Sequence, residues 1–361
     1  MKKTYYIGTN VDDKKAQIAL VVYENGVYKI IERATRDTSK SKKPSDILDS
    51  VIDATHEVKT SIGLQLTDIA YLGMAIPGSV DINTGTVQNT HNIKGFGKKT
   101  IKAGEYLTKG LGLPVSIVNS TNATALGEQI AGAGKGQKNV LLINLGKEVE
   151  GGIILNGNIH TGINSAAGEL HFPTTPTNDE HCTCGIKNCF TTSVNSAAFS
   201  RLLKPLMLSD PASKLWQSYS EDILERKPSL RSMTEFDKSF FHTNPTLAVL
   251  LKNISPKMVS RALEMPGSNT DRVINSALED YAKRVATGIA SLNILQFDTI
   301  ILGGGISRIG EPLLVRVEQA FDTLDFARNQ PNRTQIKLAT LGTDAAIIGA
   351  AASGKKAYTK R

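Results

Sequence analysis

All three cysteines of the chain lie between Cys182 and Cys189, and this clustering limits the local fold more than any other feature. An odd number of neighbouring cysteines does not build a disulfide framework, so the spacing indicates a metal site in a reducing compartment. Gly185 permits the sharp loop that would bring three thiolates around one zinc ion. Tetrahedral zinc needs a fourth ligand, for which His171 is the best candidate and His181 the rival. The competing interpretation is three buried free thiols.

Length and composition are those of an ordinary globular protein. The 361 residues correspond to about two domains, and 40% of them are hydrophobic, which supplies a sizeable core. No stretch approaches the roughly 18 apolar residues of a membrane span, and the N-terminus has no cleavable leader, so we expect a cytoplasmic protein. The net charge of +8 is spread over short lysine groups. We therefore expect neither a membrane nor a nucleic-acid partner.

The order of the predicted elements favours a mixed α/β protein. A meander of strands comes first, and strands then alternate with helices, which favours parallel pairing after the first hairpins. Strands are expected at 5–8, 16–23, 27–32, 70–76, 115–118, 140–145, 151–155, 299–302 and 335–339, and helices at 45–63, 100–112, 122–133, 271–296, 310–324 and 344–352. Residues 200–270 are polar and contain several prolines, and we interpret them as a helical insertion that forms a lid or a dimer surface.

Five motifs occur in a fixed order along nearly the whole chain. They are residues 73–81, 119–128, the pair formed by 167–171 and Cys182-Thr183-Cys184-Gly185, the glycines Gly303, Gly304 and Gly305, and residues 342–351. This ordered set resembles the ROK family, which contains repressors and sugar kinases such as glucokinase, fructokinase and N-acetylhexosamine kinases. The resemblance implies that Gly303, Gly304 and Gly305 form the adenosine-side loop.

The resemblance also implies a fold, ligands and partners. The expected fold is the two-domain actin-like ATPase (ribonuclease H-like) fold, with a cleft between the domains and a zinc loop at 171–189. A small α/β domain would span 1–117 and be completed by the C-terminal helix at 344–361. A large α/β domain would span 118–343 and include the insertion at about 200–270. The family implies ATP, magnesium, structural zinc, a small sugar ligand and a homodimer.

Several positions on the base and sugar side depart from the family pattern. The family has an aspartate base where this chain has Ser120, whose hydroxyl has no useful pKa for accepting a proton near neutrality. The resemblance leaves Asn119, Glu169 and His171 as sugar-binding residues, and His171 would also bind zinc. The loop that carries Glu169 and His171 is one residue shorter than in the family. Thr191 stands where the family has a sugar-binding glutamate.

Both phosphate loops of the family are also altered. Such loops cradle phosphate with bare backbone, for which glycine is needed. In the first loop Asn10 replaces a magnesium-side aspartate, and Asp12 and Asp13 replace glycines. In the second loop, residues 146–152, Lys147 replaces a threonine, and Glu148 and Glu150 replace glycines.

Four altered elements together predict a sugar kinase homologue that has lost phosphoryl transfer, a pseudokinase, in which ATP and magnesium bind weakly or not at all. Such a protein would still bind a sugar, or it would act as a structural or regulatory partner. We expect it to form a homodimer or to pair with a homologous kinase. The alternative is an active, glucokinase-like ROK sugar kinase with rearranged catalytic residues. A DNA-binding repressor is the third hypothesis. The start of the chain on a core strand argues against it.

Overall fold

The computed structural model describes residues 3–90, 93, 95–97, 99–174, 182, 184–226 and 254–358. The rival zinc ligand His181 and the middle of the expected insertion, 227–253, lie outside these residues. Within the described ranges, no helix has the length and apolar character needed to cross a membrane.

The strands and helices follow the predicted order closely. The strands are β1 (Thr4–Val11), β2 (Lys15–Glu24), β3 (Val27–Asp37), β4 (Ile69–Ile76), β5 (Ser79–Asp81), β6 (Thr86–Gln88), β7 (Val115–Asn119), β8 (Val140–Leu145), β9 (Val149–Leu155), β10 (Asn158–Ile159), β11 (Thr299–Gly303) and β12 (Gln335–Leu338). The helices are α1 (Pro44–Ser61), α2 (Ala103–Leu111), α3 (Ser120–Ala131), α4 (Phe190–Val194), α5 (Ser196–Ser209), α6 (Lys214–Arg226), α7 (Pro256–Leu263), α8 (Arg272–Leu292), α9 (Gly304–Ser307), α10 (Glu311–Leu324) and α11 (Asp344–Tyr358).

The first sheet has the strand order β3-β2-β1-β4-β7. The first three strands form an antiparallel meander, whereas β4 runs parallel to β1 and β7 runs parallel to β4. Parallel neighbours require a crossover connection, and α1 and α2 supply it. In α1, Pro44 begins the helix and Asp46 accepts the backbone N–H groups of Lys42 and Lys43, at 2.9 and 3.0 Å. These contacts fix the start of the helix.

The second sheet repeats the plan of the first. Its strand order is β10-β9-β8-β11-β12, again an antiparallel meander followed by two parallel strands. The equivalent hairpins are β1–β2 and β8–β9, and each is the first hairpin of its sheet. In open α/β sheets, ligands bind outside the carboxyl ends of the parallel strands. We therefore expect a ligand site at the carboxyl ends of β1, β4 and β7 in the first sheet, and of β8 and β11 in the second.

Helix α11 lies against the first sheet, α3 lies mainly against β8 and β9 of the second, and the two helices pack on each other. Glycines allow this close approach. A Cβ atom added to Gly73 in β4 would lie 1.9 Å from the carbonyl oxygen of Ala350. One added to Gly349 in α11 would lie 1.8 Å from the carbonyl oxygen of Ala123 in α3. Larger residues at these positions would separate α11 from its neighbours, because contacts this short are impossible for a real Cβ atom.

A buried carboxylate connects α3 to the start of α11. Glu128 is fully buried in α3, and its two oxygens accept the backbone N–H groups of Ala133, Thr340 and Leu341, at 2.9, 3.0 and 2.8 Å. The hydroxyl of Thr340 is a further donor, at 3.3 Å. Since β12 ends at Leu338, this single side chain fixes the segment that runs from the second sheet into α11.

The described part of the 200–270 region is not a peripheral insertion. Phe199 and Leu203 of α5, Trp216 of α6 and Met258 of α7 are buried in one cluster with Tyr281 of α8. These helices therefore contribute to the core beside α8, and the expectation of a lid or a dimer surface stays a prediction. Their buried apolar residues are spaced at helical intervals.

Candidate functional site

The junction of β7 and α3 is held by Asn119. Its side-chain Oδ1 accepts the backbone N–H groups of Thr121, at 2.8 Å, and of Asn122, at 3.1 Å. Its Nδ2 donates to the carbonyl oxygen of Gly78 at 2.9 Å and so connects α3 to the turn after β4. Asn119 is thus the N-cap of α3. Among the described contacts, this leaves one of its two amide hydrogens for a ligand.

Ser120 and Thr121, the first two residues of α3, make different contacts. Ser120 is half-buried, and its backbone carbonyl accepts the hydroxyl of Thr124 at 2.8 Å. Thr121 is buried, and its hydroxyl donates a hydrogen bond to Oε2 of Glu150. A carboxylate is therefore present beside the first turn of α3, although it comes from β9 and not from residue 120.

Glu150 lies inside strand β9, where we had expected a loop over 146–152; the turn itself covers only residues 146–148. Glu150 forms an antiparallel bridge with Glu169. Burial raises the pKa of Glu150 above its ordinary value of 4.5; the Thr121 hydroxyl opposes this, and the negative charge of Glu169 adds to it. The charge of Glu169 is thus close enough to Glu150 to affect its pKa.

The β1–β2 hairpin turn uses its acidic residue internally. Oδ1 of Asp12 accepts the backbone N–H groups of Lys14 and Lys15, each at 2.8 Å. Asp13 is exposed, and Asn10 lies within β1 opposite Gln17. The side chain of Asp12 thus folds back onto its own turn in the manner typical of aspartate, and the assignment of Asp12 and Asp13 to an altered phosphate loop stays a prediction.

The glycine run begins at Gly303, the last residue of β11, which lies opposite Asn144 near the end of β8. Gly304 has a φ of +90°, and an added Cβ would lie 2.4 Å from the carbonyl oxygen of Leu145. Glycine is required there by packing. A Cβ on Gly305 would meet nothing within 4 Å, so this backbone faces open space. In the neighbouring β8–β9 turn, the side chains of Lys147 and Glu148 are exposed.

The segment before His171 is fixed against β9. The N–H of Gly151 donates to the carbonyl oxygen of Gly168 at 2.7 Å. Gly168 has a φ of +96°, and an added Cβ would lie 2.2 Å from the carbonyl oxygen of Gly151, so only glycine fits. Oε2 of Glu169 lies 3.5 Å from Nε2 of His171.

We call the residues gathered at this point the α3 site. It consists of Asn119, Ser120, Thr121, Glu150 and Glu169, which hydrogen bonds and one strand bridge connect. Through Glu169, the α3 site reaches His171 and the cysteine loop.

His171, Cys182, Cys184 and Cys189 form a second group, which we call the metal cluster. Their ligand atoms lie within 4.8 Å of one another. Nδ1 of His171 is 3.5 Å from Sγ of Cys182 and 3.7 Å from Sγ of Cys189. Tetrahedral zinc, with bonds of about 2.3 Å to sulfur and about 2.0–2.1 Å to nitrogen, gives an N···S separation of about 3.5 Å. The donor set and its dimensions therefore fit zinc.

The pKa of Cys182 also suits a metal ligand, whereas burial raises the pKa of the Cys184 thiol. Burial raises the pKa of the Cys182 thiol, but hydrogen bonds with Cys184, Thr191 and His171 outweigh it and lower the pKa to about 6. The thiolate is the form that binds metal. With Nδ1 of His171 facing the sulfurs, Nε2–H faces Glu169, an arrangement that orients a metal-ligating histidine.

Thr191 also contacts this cluster. The sequence analysis did not predict this contact. Its hydroxyl lies 3.0 Å from Sγ of Cys189, 3.3 Å from Nδ1 of His171 and 3.7 Å from Sγ of Cys182. The family resemblance marks Thr191 only as the replacement of a sugar-binding glutamate. Its position two residues after a cysteine, at the start of α4, was the available signal.

Comparison with known proteins gives a consistent result. The family model described as "ROK family" matches residues 14–357. A glucokinase from Halalkalibacterium halodurans is 28% identical over 351 residues, covering 97% of this chain and 94% of the relative. A putative xylose repressor from a Caldicellulosiruptor species is 24% identical over 333 residues, covering 92% of this chain and 74% of the relative.

A solved structure shows the same fold. The ROK family glucokinase from Streptomyces griseus, in complex with glucose and AMPPNP, superposes with a TM-score of 0.67 at 24% identity. The match covers 96% of this chain and 98% of the glucokinase chain.

Proposed function

Because the chain belongs to the ROK family, we propose that it binds a hexose-class sugar at the α3 site and does not transfer phosphate from ATP. It has the two-domain actin-like ATPase fold of the ROK kinases. Sugar binding is inferred from the residues that remain: Asn119, Glu169 and His171.

The observation that carries the loss of phosphoryl transfer is Glu150. Its half-buried side chain lies beside the first turn of α3, at a position where the family presents bare backbone to phosphate oxygens. Two like charges about 4 Å apart repel by roughly 4 kcal/mol at an effective dielectric constant near 20. A penalty of that size weakens nucleotide binding by about a thousandfold. Ser120 adds a second loss, since its hydroxyl cannot act as a base near neutral pH.

Calorimetry and a coupled assay test this proposal. We expect a hexose or N-acetylhexosamine to bind with measurable heat, MgATP to bind at millimolar affinity or not at all, and no ADP release with any sugar. The glucokinase of Halalkalibacterium halodurans is the positive control for the assay. Micromolar MgATP binding, or phosphorylation of a sugar by the unchanged protein, would contradict the proposal.

An active ROK sugar kinase is the second candidate function. Glu150 favours it, because a half-buried carboxylate with a raised pKa beside α3 is a suitable general base. The two candidates differ in whether MgATP binds. The Ser120→Asp variant separates them further, since it restores the family's base but leaves Glu150 in place. We expect this variant to remain inactive.

We also propose that the metal cluster holds one structural zinc ion per chain. Zinc bound by three thiolates and one imidazole is a closed site that stabilises a loop and performs no chemistry. Metal analysis of protein purified without chelator should give about one zinc per chain, and its absence would refute the assignment. Assembly as a homodimer or with a homologous kinase stays a prediction.

A further inference from the structure

We propose that Cys184 is an oxidation site: a peroxide converts its thiolate to a sulfenic acid, Cys189 then forms a disulfide with it, and the metal cluster releases its zinc ion. This inference rests on the zinc ion proposed above and goes beyond its structural role, because the reaction takes place on sulfur. It does not depend on sugar binding or on the loss of phosphoryl transfer.

The three thiols of the metal cluster differ in their access to solvent. Cys184 is exposed, whereas Cys182 and Cys189 are buried. The next residue, Gly185, has a φ of +87°, and an added Cβ atom would meet nothing within 4 Å. Open space therefore borders the chain at Cys184, and a small oxidant can reach its sulfur. Exposure and thiolate character decide which cysteine of a protein is oxidised first.

Zinc supplies the thiolate character of Cys184. Ligation to a metal ion deprotonates a thiol. The Cys184 sulfur is therefore a thiolate in the zinc-loaded protein, although burial raises the pKa of the free thiol. The thiolate is also the form that attacks an oxidant. The loaded protein thus presents one exposed, nucleophilic sulfur among its three cysteines.

A second thiol lies within reach of Cys184. The ligand atoms of the metal cluster are within 4.8 Å of one another. Between Cys184 and Cys189, the chain turns through two residues of positive φ, Gly185 at +87° and Asn188 at +52°. Cys189 is fixed as the N-cap of α4, where its carbonyl oxygen accepts the N–H of Ser193 at 3.2 Å. A sulfenic acid at Cys184 would therefore have a buried thiolate beside it.

Cys189 is the expected partner in the disulfide, and Cys182 is not. A single residue separates Cys182 from Cys184, so a disulfide between these two would close a very small ring and strain the bond geometry. The segment from Cys184 to Cys189 is longer and already contains the two turn residues that bring its ends together.

The oxidation balances with hydrogen peroxide as the one oxidant. The Cys184 thiolate attacks a peroxide oxygen, the O–O bond breaks and hydroxide leaves, so sulfur loses two electrons and the peroxide is reduced. The Cys189 thiolate then attacks the sulfur of the sulfenic acid, the S–S bond forms, and the S–O bond breaks with loss of hydroxide. Two protons from solvent convert the hydroxides to water.

The disulfide removes two ligands of the metal cluster. His171 and Cys182 alone do not make a closed tetrahedral site, so the zinc ion is lost. Oε2 of Glu169 lies 3.5 Å from Nε2 of His171, so the oxidation also frees the imidazole that contacts this carboxylate. A thiol such as glutathione reverses the reaction by disulfide exchange. The cluster would therefore respond reversibly to peroxide.

Peroxide treatment of the full-length, zinc-loaded wild type tests the inference. A chromogenic chelator measures zinc release, a 1,3-dione traps the sulfenic acid, and peptide mass mapping locates the dione adduct and the disulfide. We expect release of about one zinc per chain, the adduct on Cys184, and a disulfide between Cys184 and Cys189. Dithiothreitol followed by added zinc should restore the metal content.

Two histidine variants provide the matched comparison. Cys184→His keeps four ligands of the types that zinc accepts and removes the exposed thiolate. Cys182→His alters the ligand set in the same way but keeps Cys184 and Cys189. We expect Cys184→His to release zinc to peroxide at least about tenfold more slowly than Cys182→His, because its remaining thiols are buried. If either variant fails to hold zinc, the wild-type adduct and disulfide decide, since they need no substitution.

The outcomes separate this inference from the zinc assignment. An adduct on Cys182 or Cys189 without one on Cys184, or a disulfide between Cys182 and Cys184, would overturn the inference and leave the structural zinc in place. Zinc that stays bound at a peroxide concentration that fully oxidises a cysteine peptide would do the same. Protein that carries no zinc when purified without chelator would overturn both proposals together.

Discussion

Replacing Glu128 by glutamine should destabilise the protein strongly, although the side chain is fully buried and keeps its size. Glutamine retains one oxygen for the N–H groups of Thr340 and Leu341, now without the charge. Its amide nitrogen replaces the oxygen that accepts the Ala133 N–H at 2.9 Å, so donor faces donor. An unsatisfied buried donor costs about 1–3 kcal/mol, and each hydrogen bond that loses its charge about 1 kcal/mol. We expect a total loss of about 3–5 kcal/mol.

Urea denaturation followed by circular dichroism measures this loss, and hydrogen exchange of the Leu341 amide shows whether it is local. The matched control is Glu105→Gln, an exposed residue of α2 whose side chain is 70% accessible. The control should change stability by less than about 0.5 kcal/mol. A loss below about 1 kcal/mol for Glu128→Gln, with unchanged protection of the Leu341 amide, would refute the role assigned to this carboxylate.

Three further predictions concern the α3 site and the metal cluster. Thr191→Val should release zinc to a chromogenic chelator about tenfold faster than Thr191→Ser, because only serine keeps the hydroxyl beside the ligands; equal release rates would contradict this. Glu150→Gln should raise the melting temperature at pH 8 but not at pH 4. The reason is that the raised pKa of Glu150 makes its ionisation unfavourable in the fold, so wild-type stability is lost as pH rises above about 4.5; an equal gain at both pH values would refute it. Cys189→Ser should lower the melting temperature and the zinc content together, and a change in only one would count against a structural metal.

Most of the fold could be predicted because its elements carry local signals. The β1–β2–β3 meander, the α1 helix and the two glycine-ended strands are marked by periodicity and turn residues. The C-terminal end of α8 differs in type from the prediction, since we expected one helix to residue 296, whereas the α-helix ends at Leu292 and a 3-10 turn follows over Asn293–Leu295. Asn293 is buried there, donates to Asp325 at 3.1 Å and accepts the hydroxyl of Thr334 at 2.9 Å. These partners are distant in the sequence, and nothing local indicates them.

The candidate site was predictable in its residue types but not in its connections. The spacing of the cysteines and His171 allowed a shared ligand set to be named before the fold was known. The hydrogen bond between Thr121 and Glu150 joins residues on different elements, and it depends on β9 starting at Val149. A one-residue shift in a strand reverses the direction of every side chain. Placing Glu150 in a loop therefore concealed a carboxylate that approaches α3.

The repeated strand order explains how the phosphate loops could change without loss of the fold. The β1–β2 and β8–β9 turns occupy equivalent places in the two sheets. Neither Asp12 and Asp13 nor Gly146, Lys147 and Glu148 adopt a positive φ, so these turns do not require glycine for their conformation. Glycine at such turns serves close approach of a ligand to the backbone, and its replacement removes that approach while the hairpins still close. Asp12 even stabilises its own turn. Selection for stability alone would therefore preserve both sheets, and the proposed loss of ATP binding is compatible with an intact fold.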